Sequence, residues 1–269
     1  MGAETEIAWT DATFNPWWGC QRVSPECEHC YAEAWANRFG TELWGPLAPR
    51  RAFGAKHWAE PLKWDRNAAK AGVRLRVFCA SMADVFEARS DLDAERTKLW
   101  DLILATPHLD WQLLTKRPQN IARMLPHEWL VDPRPNVWLG TTCGDQKRAD
   151  ERVVALSRVP AAVRFLSCEP LLEAVDLSWA LHEGGVSWVI VGGESGPGAR
   201  PFDLMAARDI VTACQGADVA CFVKQLGARP IDGLAGCEVW QKHPKGGDPA
   251  EWPAELRVRE FPKTERTRS

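Results

Sequence analysis

The sequence predicts an α/β fold, a partial or complete parallel (β/α) barrel, and three observations carry that expectation. Apolar, β-branched or aromatic runs recur along the chain, segments with helical apolar spacing separate them, and nearly every run ends in polar residues. Strand and helix in alternation argue for a parallel sheet. The polar endings favour a barrel over a doubly wound sheet, because barrel chemistry gathers at the carboxyl-terminal rim of the strands. A length of 269 residues with 45% apolar content suits one such barrel.

Thr5–Thr10 reads as a short first strand feeding a loop over 17–31. Tyr31 to Phe39 has helix-forming composition, and Gly40 supplies a stop. Residues 41–66 are rich in Trp, Pro and Arg and lack clean periodicity; they read as an insertion with short helical pieces that covers the barrel mouth. Six further strands are expected over 74–80, 111–114, 136–140, 163–166, 186–191 and 219–223, with helices over 93–105, 118–125, 145–157 and 203–215. Residues 1–228 thus form a barrel-like catalytic domain, and 229–269 an irregular C-terminal extension packing on it. Within the extension, 255–261 alternates charged and apolar side chains as an edge strand does, and 264–269 should be frayed.

A net charge of -3 and a pI of about 6.1 provide no overall positive field, so a nucleic-acid substrate would require a local basic patch. Nine cysteines, an odd number, with no signal-like or long apolar segment, point to a reducing cytoplasm and to no membrane partner. Cys79, Cys143, Cys168, Cys214, Cys221 and Cys237 are scattered and read as small buried hydrophobes. The histidines His57, His108, His127, His182 and His243 show no ligand spacing, and no Ser-His-Asp order supports a hydrolase. Most of the fifteen tryptophans should be packing residues.

The densest chemistry lies in Trp17-Trp18-Gly19-Cys20-Gln21-Arg22-Val23-Ser24-Pro25-Glu26-Cys27-Glu28-His29-Cys30-Tyr31, a loop with three thiols in eleven positions. Cys27 and Cys30 alone suit a disulfide, a zinc site or a redox centre. With Cys20 the set still falls one short of a tetrahedral zinc shell, for which His29 is the nearby fourth ligand. A cubane cluster normally takes four cysteines, so three leave one iron open to a small molecule. Exposed thiols packed this closely without a ligand would be an oxidation liability.

Three clustered cysteines after a first strand, the last two spaced C-x2-C with a ring one place before the final thiol and Tyr directly after, resemble the radical S-adenosylmethionine (radical SAM) enzymes. The resemblance implies a barrel of that type, with a 4Fe-4S cluster on Cys20, Cys27 and Cys30 and the methionine part of S-adenosyl-L-methionine on the fourth iron. It further implies cleavage of that cofactor to a radical that abstracts a substrate hydrogen, and an external electron donor of the flavodoxin or ferredoxin type. His29 stands where that superfamily usually has an aromatic, and six residues instead of three separate the first two cysteines. From Ile7 to Pro253 the chain is also similar to uncharacterised phage and prophage proteins that carry the three-cysteine motif. That similarity implies a phage or prophage origin in a bacterial host and makes modification or repair of a nucleic-acid base, on DNA or RNA, an expectation; peptide and small-metabolite substrates stay open. The alternative is a zinc-binding interaction or hydrolytic protein using Cys20, Cys27, Cys30 and a fourth ligand.

A cofactor across the barrel top needs a cation for its carboxylate, acceptors for its amine and polar partners for its ribose. Strand-end position nominates Ser81, Asp84, Lys116, Thr142, Glu169 and Glu194 as cofactor-binding, with Arg117 and Lys224 as further cations. Several have a plainer reading: Ser81 and Asp84 as caps, Lys116-Arg117-Pro118 as a solvated turn, Glu169-Pro170 as a strand end. The glycine-rich stretch Gly192–Gly198 suits either a close approach of cofactor to backbone or a simple βα turn.

Overall fold

The computed structural model describes residues 5–38, 40 and 42–264. Seven strands form its main sheet: β1 (Ala12–Thr13), β2 (Leu75–Cys79), β3 (Leu109–Thr115), β4 (Val137–Thr142), β5 (Val163–Cys168), β6 (Trp188–Gly192) and β7 (Ala220–Gln225). They lie in the order β1-β2-β3-β4-β5-β6-β7, parallel in their registered pairings. A doubly wound sheet reverses its order partway. Here each strand adds to the edge of the one before, as in a partial (β/α) barrel. The order ends at β1 and β7, so among the described residues the complete form of the expected barrel is not what is found.

The chain divides into two compact units, Met1–Ser24 with Ala32–Gly140 and Val159–Ala162, and Pro25–Tyr31 with Thr141–Arg158 and Val163–Ser269. In the first, β1 pairs with β2 (Ala12↔Val77) and β2 with β3 (Phe78↔Gln112). The helices are α1 (Tyr31–Arg38, its first residue in the other unit), α2 (Glu60–Ala71) and α3 (Asp93–Ala105). Phe14, Trp17, Phe86, Trp111 and Leu113 form a buried core, and the Trp111 indole N–H finds the Thr106 hydroxyl at 3.0 Å. Arg50, almost wholly buried, donates to the carbonyls of Leu43, Gly45 and Ala48 and pairs with Glu87 at 2.6 Å, which ties down the 42–50 stretch.

In the second unit β6 is buried at every position, as a strand covered on both faces must be. Helices α4 (Gln146–Ser157) and α5 (Leu204–Gly216) begin at Asp145 and Asp203, whose carboxylates accept from the amides of Arg148 and Met205. Each such cap contributes about 1 kcal/mol. Residues 258–260 run antiparallel to β7, with Val223 N–H donating to Val258 O and Glu260 N–H to Cys221 O. The expected edge strand is thus a short bridge, because Ala254–Leu256 turns as a 3-10 helix first.

Several local expectations differ from what forms. Residues 5–10 turn instead of extending: Thr10 N–H closes back on Ile7 O, and the strand comes later at Ala12. The cysteine loop contains a two-residue strand, Trp17–Trp18, antiparallel to Arg51–Ala52. The insertion runs into a full helix, α2, that ends only at Gly72 in the left-handed conformation. Thr142 lies inside β4 rather than beyond it. Phe39, Thr41 and 265–269 lie outside the described residues. No helix among the described residues is long and apolar enough to cross a membrane.

Candidate functional site

In the first unit the sequence delivers Cys20 through Gly19, whose φ of +110° and close approach to Leu43 exclude any other residue; a Cβ there would fall 2.5 Å from Leu43 O. Gly19 N–H donates to Met82 O at 3.0 Å, and Asn15 holds the same strand-end segment through Met82 N–H (2.7 Å) and the Ser81 hydroxyl (3.1 Å). The loop is thereby laid along the segment that follows β2.

Asp84, 5% exposed, gathers the next groups. It accepts from the Thr115 hydroxyl at 2.7 Å, the Phe86 and Lys116 amides, and Arg117 Nη1 at 2.7 Å. A buried carboxylate and guanidinium need this degree of hydrogen bonding to offset their desolvation. Arg117 then reaches the cysteine loop: Nη2 donates to Gln21 O at 2.9 Å and Nη1 to the Cys20 sulfur at 3.7 Å. Burial pushes the Cys20 thiol up to about 12; the Asp84 charge adds to the rise and the Arg117 charge opposes it.

In the second unit the stretch Pro25–Tyr31 carries Cys27, buried, and Cys30, half-buried. Arginines hold it from two sides. Arg152 Nη1 pairs with Glu26 at 2.8 Å and also donates to Thr142 O at 2.7 Å, both side chains being buried. Arg200 donates to Pro25 O at 3.0 Å and pairs with Glu28 at 3.1 Å and closely with Glu194. Glu194 in turn meets His29 Nδ1 at 2.9 Å. Burial works against the Glu194 carboxylate, but the bonds from Arg200 and His29 outweigh it and hold its pKa below the ordinary value.

The nominated rim groups therefore divide. Asp84 is saturated with donors, Glu169 pairs closely with Lys224, and Glu194 with Arg200. Thr142 is buried at the end of β4. Lys116 is half-buried, and its ammonium forms no ion pair among the described residues. In the glycine-rich stretch, Gly193 is required by packing, since a Cβ would lie 2.6 Å from Leu226 O, which favours the βα-turn reading there.

Sequence reasoning missed Arg152 and Arg200. Arg152 had a signal: it occupies an apolar position in the stripe Ala149, Arg152, Val153, Leu156, all buried. Arg200 had none: it is a loop residue six positions from Glu194, and its other partners, Glu28 and Pro25 O, lie 172 and 175 positions away.

None of the three cysteines is in a disulfide, sulfur donors of this kind are the usual ligands of iron-sulfur clusters, and Cys20 receives a cationic N–H. Among the described residues, no three His, Cys, Asp or Glu side chains are grouped to hold a metal ion as they stand.

Strand order and the alternation of strand and helix define an α/β protein with polar residues following several of its sheet strands. A family described as a protein of unknown function (DUF5131) matches residues 4–251, and the chain belongs to it. No curated protein matches, and no solved structure matches.

Proposed function

We propose that this protein is a radical SAM-type enzyme whose Cys20, Cys27 and Cys30 hold a 4Fe-4S cluster, on a partial barrel of the radical SAM type. The observation that carries the reading is a trio of cysteines within eleven residues, none of them in a disulfide, whose first sulfur accepts from Arg117. When bound, the cluster and S-adenosyl-L-methionine supply an electron-driven cleavage that starts radical chemistry on a substrate.

The chain's own residues do the positioning. Arg117 fixes the loop at Gln21 and neutralises charge at the Cys20 sulfur; Asp84 orients Arg117. Arg152 and Arg200 fix the segment bearing Cys27 and Cys30. Lys116 suits the cofactor carboxylate, and Ser81 offers a hydroxyl for its amine or ribose. An external flavodoxin- or ferredoxin-type donor supplies the electron, and a reducing cytoplasm suits nine cysteines with no disulfide among them.

Anaerobic reconstitution tests the reading. Expected are about four irons with labile sulfide per chain, and deoxyadenosine formed from S-adenosyl-L-methionine with dithionite. Neither cluster absorption nor deoxyadenosine would sink it.

One observation favours a second reading. Zinc-bound histidines commonly give their other ring nitrogen to a carboxylate, and His29 Nδ1 meets Glu194. A single zinc per chain, with no sulfide, in protein purified without oxygen would establish that alternative.

A further inference from the structure

Beside Cys20 in the first unit lies a surface cluster of rings and cations that the chemistry above does not use. Trp18 meets Trp35 edge-on at 5.2 Å and Phe53 at 5.4 Å. The Arg51 guanidinium lies over Trp18 at 4.8 Å and near the Phe53 ring at 5.6 Å, while Phe53 rests on His57 at 4.3 Å. These groups reach solvent: Trp35 is 37% exposed, Arg51 is exposed, and Trp18 and Phe53 are half-buried. The Trp17–Trp18 pairing with Arg51–Ala52 presents Trp18 and Arg51 together.

Unpaired cations stand beside the rings. Among the described residues Arg51 has no carboxylate partner, and neither do the exposed Arg38, one helical turn beyond Trp35, and Lys56, three residues beyond Phe53. An apolar protein partner would leave three cations without counter-charge. Nucleic acid answers both features: bases stack on indole, phenyl and guanidinium planes, and phosphates neutralise the cations. On a chain of net charge -3, this is the local basic patch that such binding requires.

We infer that the Trp18, Trp35, Arg51 and Phe53 surface binds single-stranded nucleic acid by stacking. As the substrate side of the radical chemistry this rests on the function proposed above; as a binding surface it stands by itself.

The test is fluorescence anisotropy of a labelled oligothymidylate of about a dozen nucleotides with the full chain, both reconstituted and metal-free, from about 50 to about 200 mM salt. Saturable binding that weakens with salt is expected. Trp35→Ala and Arg51→Glu should each lower affinity about 5- to 100-fold, and Arg51→Glu should also reduce the salt slope by about one. Lys98→Glu, the same charge change on an exposed side chain of α3, should cost less than about twofold. Trp35→Phe keeps a ring and should retain most affinity, which separates stacking from misfolding should Trp35→Ala lose its melting transition.

Three outcomes overturn the inference: no saturable binding, Lys98→Glu as damaging as Arg51→Glu with Trp35→Ala silent, or polyglutamate competing as well as unlabelled oligonucleotide. The last would mark a surface for acidic protein. Iron and sulfide measured on the same preparations keep the two proposals apart. Binding without a cluster removes the radical reading alone, and a cluster without binding removes this surface alone.

Discussion

Cys20 and the Cys27–Cys30 stretch are both held by arginine, but by different logic. Arg117 touches the Cys20 sulfur itself, along with Gln21 O. Arg152 and Arg200 grip Glu26, Glu28 and Pro25 O around Cys27 and Cys30. One arm receives a cation at its sulfur; the other is fixed through its backbone and flanking carboxylates. A cation at a sulfur alters electron affinity, whereas a cation at a neighbouring carboxylate alters only where the sulfur sits.

The comparison breaks first if the arms are not equally required. Cys20→Ala, Cys27→Ala and Cys30→Ala should each abolish reconstituted iron and sulfide, while Cys237→Ala, at an exposed thiol, should keep both. Colorimetric iron and sulfide assays decide it. If Cys20→Ala retains a full complement, the Cys20 arm is not a ligand arm.

Next in size is the loss of an anchor. Arg152→Leu removes the guanidinium paired with the fully buried Glu26 carboxylate, which also accepts from the Gly144 amide, and should destabilise the chain by about 3–5 kcal/mol in urea unfolding. Adding Glu26→Leu should recover much of that loss, because the buried charge is then gone. Arg117→Leu should destabilise comparably through Asp84, but it should also shift the midpoint potential of the reconstituted cluster to more negative values. A potential that moves equally in Arg152→Leu and Arg117→Leu would erase the distinction between the arms.

Gly19→Ala forces a left-handed φ onto a residue with a Cβ and drives that atom toward Leu43 O, at a cost of about 1–3 kcal/mol. Because only the Cys20 arm needs this geometry, lower cluster yield should accompany the lower melting temperature.

The smallest effect comes from an ion pair at the β1–β2 edge, which serves as a baseline for both arms. Burial works against the Asp11 carboxylate, but the bonds and charge of Arg76 outweigh it and hold its pKa below the ordinary value. Its stabilisation is therefore present above the unfolded carboxylate pKa of about 4 and lost as pH falls through the lower folded value. Asp11→Asn should flatten that acid limb by less than about 1 kcal/mol, since both partners are part-exposed. Urea midpoints from pH 3 to pH 6 measure it, and an unchanged limb would assign acid sensitivity elsewhere.

The strand-helix alternation was legible because most strands carry a short apolar stretch; β6 and β7 begin within two residues of their expected starts. Helix α3 matches its expected bounds at both ends, with its acidic first turn and apolar spacing. Strand β1 was misplaced because Trp9 is buried from a turn rather than from a strand, and a lone buried ring has no period to read. Helix α2 was blurred because Trp64, Asp65 and Ala68 bury a face that mixes polar with apolar groups.

By itself the sequence determined the order of elements, the three-thiol stretch and the polar residues that follow the strands, since these depend on local spacing and composition. Only the tertiary structure decided which rim groups are engaged. Asp84 is paired with Arg117, Glu194 with Arg200 and Glu169 with Lys224, across separations of up to 55 residues that no local period encodes. Long-range partners are selected by how buried charges find counter-charges once strands have packed, and that choice is made in three dimensions.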